Sequence, residues 1–301
     1  MNECILIGAN GQLGNDLANV FIHENFPFIP FYHNRDDGEN FFDVTNHNDV
    51  KKAIEYYKPR IVINATAFNK VDECETNIRI AYDINTYAVR NLAKICKENN
   101  IILVHFSTDY VFDGRKKQPY NEEDKPNPIN VYGDSKFLGE QCILESGLEK
   151  YFIIRTAALQ GTKKSRSKGT NFIESILKNA EGSSKLKVVN DQIINPTYTL
   201  DLARKTFELI QIDKYGLYHI VNHGECSWYE FARNILELAK KNVELIPISY
   251  EEAKIKFNYK AMRPRYSVLD NYNLRKLSLD NLRTWNEALI AYFEEKWNTQ
   301  K

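Results

Sequence analysis

Cysteine chemistry and metal binding have little support in this sequence. Its five cysteines form no C-x-x-C pair, and its six histidines follow none of the usual zinc-enzyme spacings. An odd number of scattered cysteines argues against a disulfide framework as well as against a zinc site. We therefore predict that the protein has no catalytic metal. His105, which stands in an apolar run, is interpreted as a strand residue.

A net charge and long apolar segments are absent too. The 40 basic and 40 acidic residues cancel, which gives no attraction toward nucleic acid or an anionic membrane. No apolar run approaches the ~18 residues that a membrane-spanning helix needs. The first residues lead directly into an apolar segment, which leaves no room for a signal peptide. We expect a cytoplasmic protein with neither nucleic acid nor membrane as its partner.

Short apolar runs alternate with longer amphipathic segments through the first two thirds of the chain. The predicted strands are 4–7, 28–32, 61–64, 101–106 and 151–154, and the predicted helices are 11–24, 46–57, a long one around 81–95, and 135–145. This alternation predicts an α/β fold with a doubly wound parallel (Rossmann) sheet. We expect residues 1–155 to form the dinucleotide-binding domain, its sheet completed by parts of 186–212. Residues 156–301 are expected to form mainly a smaller C-terminal substrate-binding domain.

Three glycines follow the first predicted strand and open the first predicted helix. Gly8, Gly11 and Gly14 stand where a dinucleotide-binding turn needs them. Glycine permits the backbone angles of the turn and lets the backbone approach a pyrophosphate closely. The spacing is G-x-x-G-x-x-G rather than G-x-G-x-x-G, so a plain surface turn stays an alternative for this motif by itself.

The end of the second predicted strand bears on the choice of nicotinamide cofactor. An acidic residue there binds the ribose 2′-hydroxyl of NAD, whereas an arginine accommodates the 2′-phosphate of NADP. The residues that follow this strand include His33 and Arg35, and the first acid comes only at Asp36. This favours NADPH over NADH, with Arg35 as the phosphate contact and His33 as a second candidate.

A tyrosine and a lysine four positions apart form the clearest catalytic pattern. Tyr132 and Lys136 would share one face of a helix. A free phenol has a pKa near ~10, and a neighbouring ammonium would bring it down toward the working range of an acid or base. Thr108, at the end of a buried strand, would hold a carbonyl beside the tyrosine. Such a pair also occurs by chance on solvated helices, but its position after the glycine turn and Thr108 favours hydride transfer to or from a carbonyl carbon.

Together these motifs resemble those of the extended short-chain dehydrogenase/reductase superfamily and, within it, the dTDP-4-dehydrorhamnose reductase family. The matching segments are 8–14, 64–67 with Val71 and Asp72, Asn85, 107–114, 130–136, 191–192 with 196–197, and 263–264 with 267–270. The resemblance covers nearly the whole chain. It implies NAD(P)H-dependent reduction of the 4-keto group of a nucleotide-linked deoxysugar, as in dTDP-rhamnose and polysaccharide biosynthesis.

The resemblance also implies roles for single residues. Tyr132 would donate the proton, Lys136 would lower its pKa and hold the nicotinamide ribose, and Thr108 would position the keto oxygen. With the glycine turn and Arg35 included, the expected cofactor contacts are Gly8, Gly11, Gln12, Leu13, Gly14, Arg35, Asp43, Val44, Ala65, Ala67, Phe68, Asn69, Asn85, Tyr132 and Lys136. The expected substrate contacts are Thr108, Asp109 and Arg263, the last for its fit to a diphosphate.

Two departures from the family pattern leave the sugar open. Ala158 stands where the family commonly has a tryptophan, and Gln160 replaces a usual aromatic residue. The basic loop 162–169 is longer than the pattern and is interpreted either as a solvated loop or as a lid over an anionic substrate. The oligomeric state is open as well, with a homodimer as one expectation.

Two other functions stay open at this point. One is a nucleotide-sugar dehydratase or epimerase, although dehydratases of this superfamily have two acids after the catalytic threonine, and here Asp109 is followed by Tyr110. The other is a catalytically silent NADP-binding regulatory subunit. A complete set of Thr108, Tyr132 and Lys136 favours catalysis over both.

Overall fold

The computed structural model describes residues 3–163 and 169–298, except for the side chains of Arg35 and Asn298. The strands are β1 Cys4–Ile7, β2 Phe28–Phe31, β3 Ile61–Asn64, β4 Ile102–Thr108, β5 Tyr151–Thr156, β6 Leu159–Gln160, β7 Lys185–Val189, β8 Ile193–Ile194, β9 Thr197–Tyr198, β10 Gly216–His219, β11 Cys226–Ser227 and β12 Glu244–Ile248. The helices are α1 Gln12–His23, α2 His47–Tyr57, α3 Val71–Cys74, α4 Ile78–Tyr82, α5 Ala88–Glu98, α6 Val131–Glu145, α7 Phe172–Gly182, α8 Thr199–Leu209, α9 Trp228–Leu238, α10 Tyr250–Lys256, α11 Tyr272–Lys276 and α12 Trp285–Asn298.

Six parallel strands form the central sheet, in the order β10-β5-β4-β3-β1-β2. All four residues of β1 and β3 and all seven of β4 are buried, because helices cover both faces of the sheet. One face packs against α1 and α8, and the other against α2, α5 and α6. Parallel strands covered on both sides are the reason for the continuous apolar runs in the sequence. The predicted doubly wound parallel sheet is confirmed.

The strand that completes this sheet lies outside the predicted range. It is β10, which pairs with β5, and no strand of 186–212 joins the sheet. Instead β7 pairs with β12 in a separate two-stranded sheet. Its alternating Lys-Leu-Lys start leaves two of its five residues exposed, which does not suit a sheet covered on both faces. The predicted division of the chain at residue 155 stays a prediction.

Helix α6 begins four residues earlier than the sequence pattern predicts. The side chain of Asn130 accepts a hydrogen bond from the backbone N–H of Gly133 at 2.7 Å and so caps the first turn. Tyr132 therefore lies in that first turn, beside the end of β4. The predicted long helix also differs, since a π-helical segment, Asp83–Tyr87, separates α4 from α5.

The C-terminal part of the chain has a core of its own. Aromatic and aliphatic residues of α7, α9 and α12 form it, with Phe231 and Tyr292 among the fully buried ones. In this part of the chain, β8 and the segment 262–268 run beside each other. A β-bridge between Ile193 and Tyr266 joins them. Both contribute residues to the large cavity at the carboxyl edge of the central sheet.

Candidate active site

A cavity of about 740 Å³ lies at the carboxyl ends of β1, β3, β4 and β5. In open parallel sheets this is the edge where ligands bind. One side, the sheet-edge wall, is formed by Gly8, Asn10, Gly11, Gln12, Leu13, Ala65, Thr66, Ala67, Asn69, Thr108, Asp109, Tyr132 and Lys136. The other side, the opposite wall, is formed by Gln160, Thr170, Asn171, Phe172, Ser175, Gln192, Ile194, Trp228, Pro264 and Ser267.

The glycine turn forms the floor of the sheet-edge wall. Gly8 has a positive φ of 83°, and a Cβ on Gly14 would lie 2.1 Å from the carbonyl oxygen of Gly8. Only glycine fits this close packing of α1 against the turn. The side-chain amides of Asn10 and Gln12 are buried and make no hydrogen bond within the described part of the structure. Unpaired buried donors at a helix N-terminus suit a pyrophosphate, so the residues present fit a dinucleotide.

The cavity continues to the end of β2. Tyr32, His33, Phe42, Asp43 and Val44 line it there. The carboxylate of Asp43 accepts hydrogen bonds from the backbone N–H and the hydroxyl of Thr45, at 2.9 and 2.8 Å. The side chain of Arg35 lies outside what the structure describes. Its role as a 2′-phosphate contact therefore stays a prediction.

Thr108 and Tyr132 meet where β4 ends and α6 begins. The Thr108 hydroxyl donates to the Asp109 carboxylate at 3.0 Å, accepts from the backbone N–H of Tyr110 at 3.2 Å, and lies near the Tyr132 hydroxyl. The ring of Tyr110 packs edge-on against Tyr132 with centroids 5.7 Å apart. Burial raises the pKa of Tyr132 above its ordinary value, and the nearby Thr108 hydroxyl only partly offsets this rise. Tyr132 is therefore an uncharged phenol at neutral pH, a form that has a proton to donate.

The contacts of Lys136 differ from those expected of a group that lowers the pKa of Tyr132. Its Nζ donates to the carbonyl oxygen of Phe106 at 2.6 Å and lies 3.1 Å from Nε2 of His105. Burial lowers the pKa of Lys136 to about 7, against a smaller opposing effect of Glu140. The expected lowering of the tyrosine pKa by an ammonium group is thus not found, because burial dominates both groups. His105 is a strand residue, as predicted from the sequence, but it also contacts Lys136.

Most of the predicted contact residues line the cavity. They are Gly8, Gly11, Gln12, Leu13, Asp43, Val44, Ala65, Ala67, Asn69, Thr108, Asp109, Tyr132 and Lys136. Three others, Gly14, Phe68 and Asn85, are not among the residues that line it. Gly14 packs on the turn, while the Asn85 side chain accepts from the N–H of Phe68 at 2.9 Å and donates to its carbonyl oxygen at 3.0 Å. Asn85 also donates to the Ser135 hydroxyl at 3.0 Å, so it fastens the loop after β3 to α6.

Arg263 is also outside the set of residues that line the cavity. Its guanidinium donates to the Asp72 carboxylate at 2.6 and 3.3 Å and stacks over the ring of Tyr259 at 3.8 Å. Burial raises the pKa of Asp72, but the hydrogen bonds from Arg263, Ala261 and Lys260 outweigh it, and the pKa lies below its ordinary value. The pair joins the C-terminal segment to α3. Pro264, its neighbour, does line the cavity.

Sequence reasoning found only part of the opposite wall, since Gln160, Gln192, Pro264 and Ser267 lie in segments that it had singled out and the other members do not. Its most conspicuous members are Phe172 and Trp228, whose ring centroids are 4.4 Å apart. Ala158, Leu159 and Gln160 continue the wall toward β5, and Ala158 has a positive φ of 43°. The sequence analysis had singled out Ala158 and Gln160 as departures from the family pattern, but Phe172 and Trp228 belong to no short motif, so no local pattern could have found them. Residues 164–168 of the basic loop lie outside the described residues.

Within residues 3–163 and 169–298, no three His, Cys, Asp or Glu side chains group as a metal site would require. Across those ranges no helix has the length and apolar character to cross a membrane.

Comparison with known proteins identifies close relatives over the whole chain. The family described as "RmlD substrate binding domain" matches residues 1–297. The spore coat polysaccharide biosynthesis protein SpsK of Bacillus subtilis is 36% identical over 98% of this chain and 98% of its own length. A dTDP-4-keto-6-deoxy-D-glucose reductase of Streptomyces niveus is 32% identical over 96% of each chain.

Solved structures agree with these matches. A dTDP-4-dehydrorhamnose reductase of Clostridium acetobutylicum superimposes with a TM-score of 0.90 at 37% identity, covering 99% of this chain and 100% of its own. The corresponding enzyme of Bacillus anthracis, in complex with NADP, gives a TM-score of 0.89 at 37% identity, covering 98% of this chain and 100% of its own. The likeness is therefore one of sequence and fold together.

Proposed function

Because this chain belongs to the RmlD substrate binding domain family, we propose that it reduces the 4-keto group of a nucleotide-linked deoxysugar with NADPH or NADH. Relatives named as dTDP-4-dehydrorhamnose reductase and dTDP-4-keto-6-deoxy-D-glucose reductase carry out reactions of this type. The B. anthracis relative was solved with NADP, which supports NADPH as the preferred cofactor.

The observation that carries the proposal is the contact between Thr108 and Tyr132 in the cavity that also contains the glycine turn. A carbonyl oxygen beside this pair would meet one hydroxyl that orients it and a second that gives it a proton. Burial keeps Tyr132 in the protonated form that this step requires. A module that only binds a dinucleotide has no need of this arrangement.

The residues of the sheet-edge wall have separate roles in cofactor binding and in proton transfer. The turn and the amides of Asn10 and Gln12 hold the pyrophosphate of the cofactor, and Ala65, Ala67 and Asn69 lie along it. When bound, the reduced nicotinamide supplies the hydride. Tyr132 gives its proton to the oxygen that becomes the product hydroxyl, and Thr108 holds that oxygen in place.

The nucleotide sugar occupies the side of the cavity next to the opposite wall. The aromatic pair Phe172 and Trp228 lies there, and Asp109 of the sheet-edge wall also lines the cavity. Because Ala158 and Gln160 are small or polar where the family commonly has aromatic rings, this wall differs from the usual pattern. We propose a dTDP-linked 4-keto-6-deoxyhexose as the substrate class.

The test is turnover with a dTDP-4-keto-6-deoxy sugar and NADPH, followed through the loss of reduced nicotinamide and through the product. Net oxidation of NADPH in proportion to the 4-hydroxy product is expected. A control with the Tyr132→Phe protein excludes a contaminating reductase. An altered sugar without net NADPH oxidation would indicate a dehydratase or an epimerase. Tight NADPH binding without turnover on any 4-keto sugar would indicate a regulatory subunit.

A further inference from the structure

The side chain of Asn130 joins the first turn of α6 to a distant part of the chain. Its Oδ1 accepts a hydrogen bond from the backbone N–H of Gly133 at 2.7 Å, which caps the helix. Its Nδ2 donates to the carbonyl oxygen of Met262, also at 2.7 Å. The residue is only 8% exposed, so water competes little with either hydrogen bond. One buried amide thus connects the helix that carries Tyr132 with the segment 262–268.

The segment 262–268 belongs to the opposite wall of the cavity, to which it contributes Pro264 and Ser267. Side chains of other elements hold its backbone. Nε2 of Gln192 donates to the carbonyl oxygen of Pro264 at 3.2 Å. The carboxylate of Asp72 accepts from the backbone N–H groups of the two residues that precede the segment, at 2.9 and 3.0 Å. These contacts fix the segment beside β8 and α3, whereas the contact with the N-cap residue fixes it to α6.

The first turn of α6 is also fixed beside the end of β4. A Cβ on Gly133 would lie 2.1 Å from the carbonyl oxygen of Tyr110, so the turn packs closely on the chain that follows this strand. Oε1 of Glu75 accepts from the backbone N–H of Val131 at 2.9 Å. The start of the helix is therefore held on the sheet-edge side by backbone packing and on the opposite side by the amide of Asn130.

Proton transfer depends on this geometry, since a displacement by fractions of an ångström already slows it. In the proposed reaction α6 sets the position of the Tyr132 hydroxyl, while the opposite wall sets the position of the sugar. We infer that Asn130 is a positioning residue, whose amide joins α6 to the opposite wall and so sets the distance between the phenol of Tyr132 and the keto oxygen. The inference rests on the proposed function, because it concerns the rate of ketone reduction.

An amide suits this role because it has an acceptor and a donor on one short side chain. Serine and aspartate cap helices about as well as asparagine. However, a carboxylate has no donor, and a serine hydroxyl is too short to reach Met262 while it caps the helix. Asn130→Ser and Asn130→Asp should therefore keep the helix start and lose the link to the segment 262–268. The first variant shortens the side chain, and the second replaces its donor.

The first test measures the link itself and needs no substrate. Amide hydrogen exchange, followed by mass spectrometry, should be faster in the segment 262–268 of both variants than in the wild type. Asn46→Ser is the matched control, because Asn46 caps α2 in the same way but its Nδ2 donates to Asp49 of that helix at 2.7 Å. Exchange in the segment should not change in this control. Unchanged exchange in Asn130→Ser and Asn130→Asp, or loss of folding in both, would refute the inference.

The second test measures the reaction. Because Tyr132 would be less well placed, the single-turnover rate of 4-keto sugar reduction with NADPH should fall about tenfold in both Asn130 variants. The KM for the sugar nucleotide and the affinity for NADPH should stay within about twofold, because Gln192 and Asp72 still hold the segment. The rate should be unchanged in Asn46→Ser. A raised KM with an unchanged rate would assign Asn130 to substrate binding alone and contradict its role in positioning Tyr132.

The solvent isotope effect separates positioning from a merely structural role. A displaced phenol slows proton transfer more than hydride transfer, so the ratio of the single-turnover rates in H₂O and D₂O should be larger in the Asn130 variants than in the wild type. A lower stability with an unchanged rate and isotope effect would show that Asn130 serves only as a cap, against the inference. A wild-type protein that reduces no 4-keto sugar would instead contradict the proposed function and leave the hydrogen-exchange result valid.

Discussion

The two walls of the cavity are built in different ways. The sheet-edge wall comes from short segments that directly follow β1, β3 and β4, together with the first turns of α6. The opposite wall brings together residues of β6, the start of α7, β8, the start of α9 and the segment near Pro264. The first is anchored in the most buried part of the sheet, and the second in loops and helix starts of the C-terminal part.

Because of this difference, we expect the two walls to have different roles. Proton and hydride transfer need groups fixed within fractions of an ångström, which buried strand ends provide. Recognition of one sugar among several needs a surface that can change without disturbing the sheet. We therefore expect substitutions in the sheet-edge wall to change rate or cofactor binding, and substitutions in the opposite wall to change substrate affinity.

The largest effect should come from the proton donor. Tyr132→Phe keeps the ring but removes the hydroxyl, so turnover should fall on the order of 10²-fold or more while cofactor binding stays nearly unchanged. Tyr110→Phe is the matched control, since its half-buried ring packs against that of Tyr132. Steady-state kinetics and a cofactor titration measure both. Equal losses of turnover in the two variants would contradict the role of Tyr132 as the proton donor.

The next effect concerns the floor of the sheet-edge wall. A Cβ at Gly14 would lie 2.1 Å from the oxygen of Gly8, and this backbone has little freedom to move. Gly14→Ala should lower the free energy of unfolding by on the order of 1–3 kcal/mol and weaken cofactor binding. Gly182→Ala is the control, because its added Cβ meets no atom within 4 Å. Unchanged cofactor affinity in Gly14→Ala would contradict the assigned role of the turn.

The Asp72–Arg263 pair joins the two parts of the chain and tests whether Arg263 binds substrate. If Asp72 and Arg263 form only a structural pair, Asp72→Ala and Arg263→Ala should each lower the free energy of unfolding by about 1–3 kcal/mol and change the substrate KM equally. If Arg263 binds the diphosphate of the substrate, only Arg263→Ala should raise that KM. Chemical denaturation and kinetics on both variants decide between these outcomes.

The pair also predicts a pH dependence. The pKa of Asp72 is lower in the folded protein than its ordinary value. The contribution of Asp72 to the free energy of unfolding is therefore complete above that ordinary pKa, ~3.9, and is lost as the pH falls through the lower pKa of the folded protein. The stability difference between wild type and Asp72→Ala should accordingly be largest near neutral pH and shrink in acid. A difference that grows in acid would contradict the pairing.

The smallest effect is expected in the opposite wall. Trp228→Phe removes part of an aromatic surface, worth about 1 kcal/mol, and should raise the KM for the sugar nucleotide by roughly fivefold. Cofactor affinity should stay within about twofold, as expected when only substrate binding is lost. Trp285→Phe is the control, since Trp285 packs on the same Phe231 but is not among the residues that line the cavity. A lower rate at saturating substrate would place Trp228 in the catalytic step instead.

The sequence predicted the sheet-edge wall well because each of its parts is local. A strand, a turn and a helix in immediate succession fix where Gly8 and Gly11 lie, and the four-residue spacing places Tyr132 near Lys136 on one helix. Other features could not be read in this way. His105 appeared only as an apolar-strand residue, because its contacts with Asn64 and Lys136 join three separate elements. The completion of the sheet was assigned to parts of 186–212 rather than to β10, because Lys185–Val189 is as strand-like in pattern as Gly216–His219.

By itself, then, the sequence determined the alternation of strands and helices that makes the sheet parallel, and the residues that follow the carboxyl ends of its first strands, since these follow from periodicity and from adjacency along the chain. The tertiary structure decided the protonation of the site and its outer wall. Burial raises the pKa of Tyr132 and lowers that of Lys136 to about 7, and burial depends on what other segments cover. Phe172 and Trp228 meet, and Arg263 binds Asp72, only because the folded chain brings distant residues together.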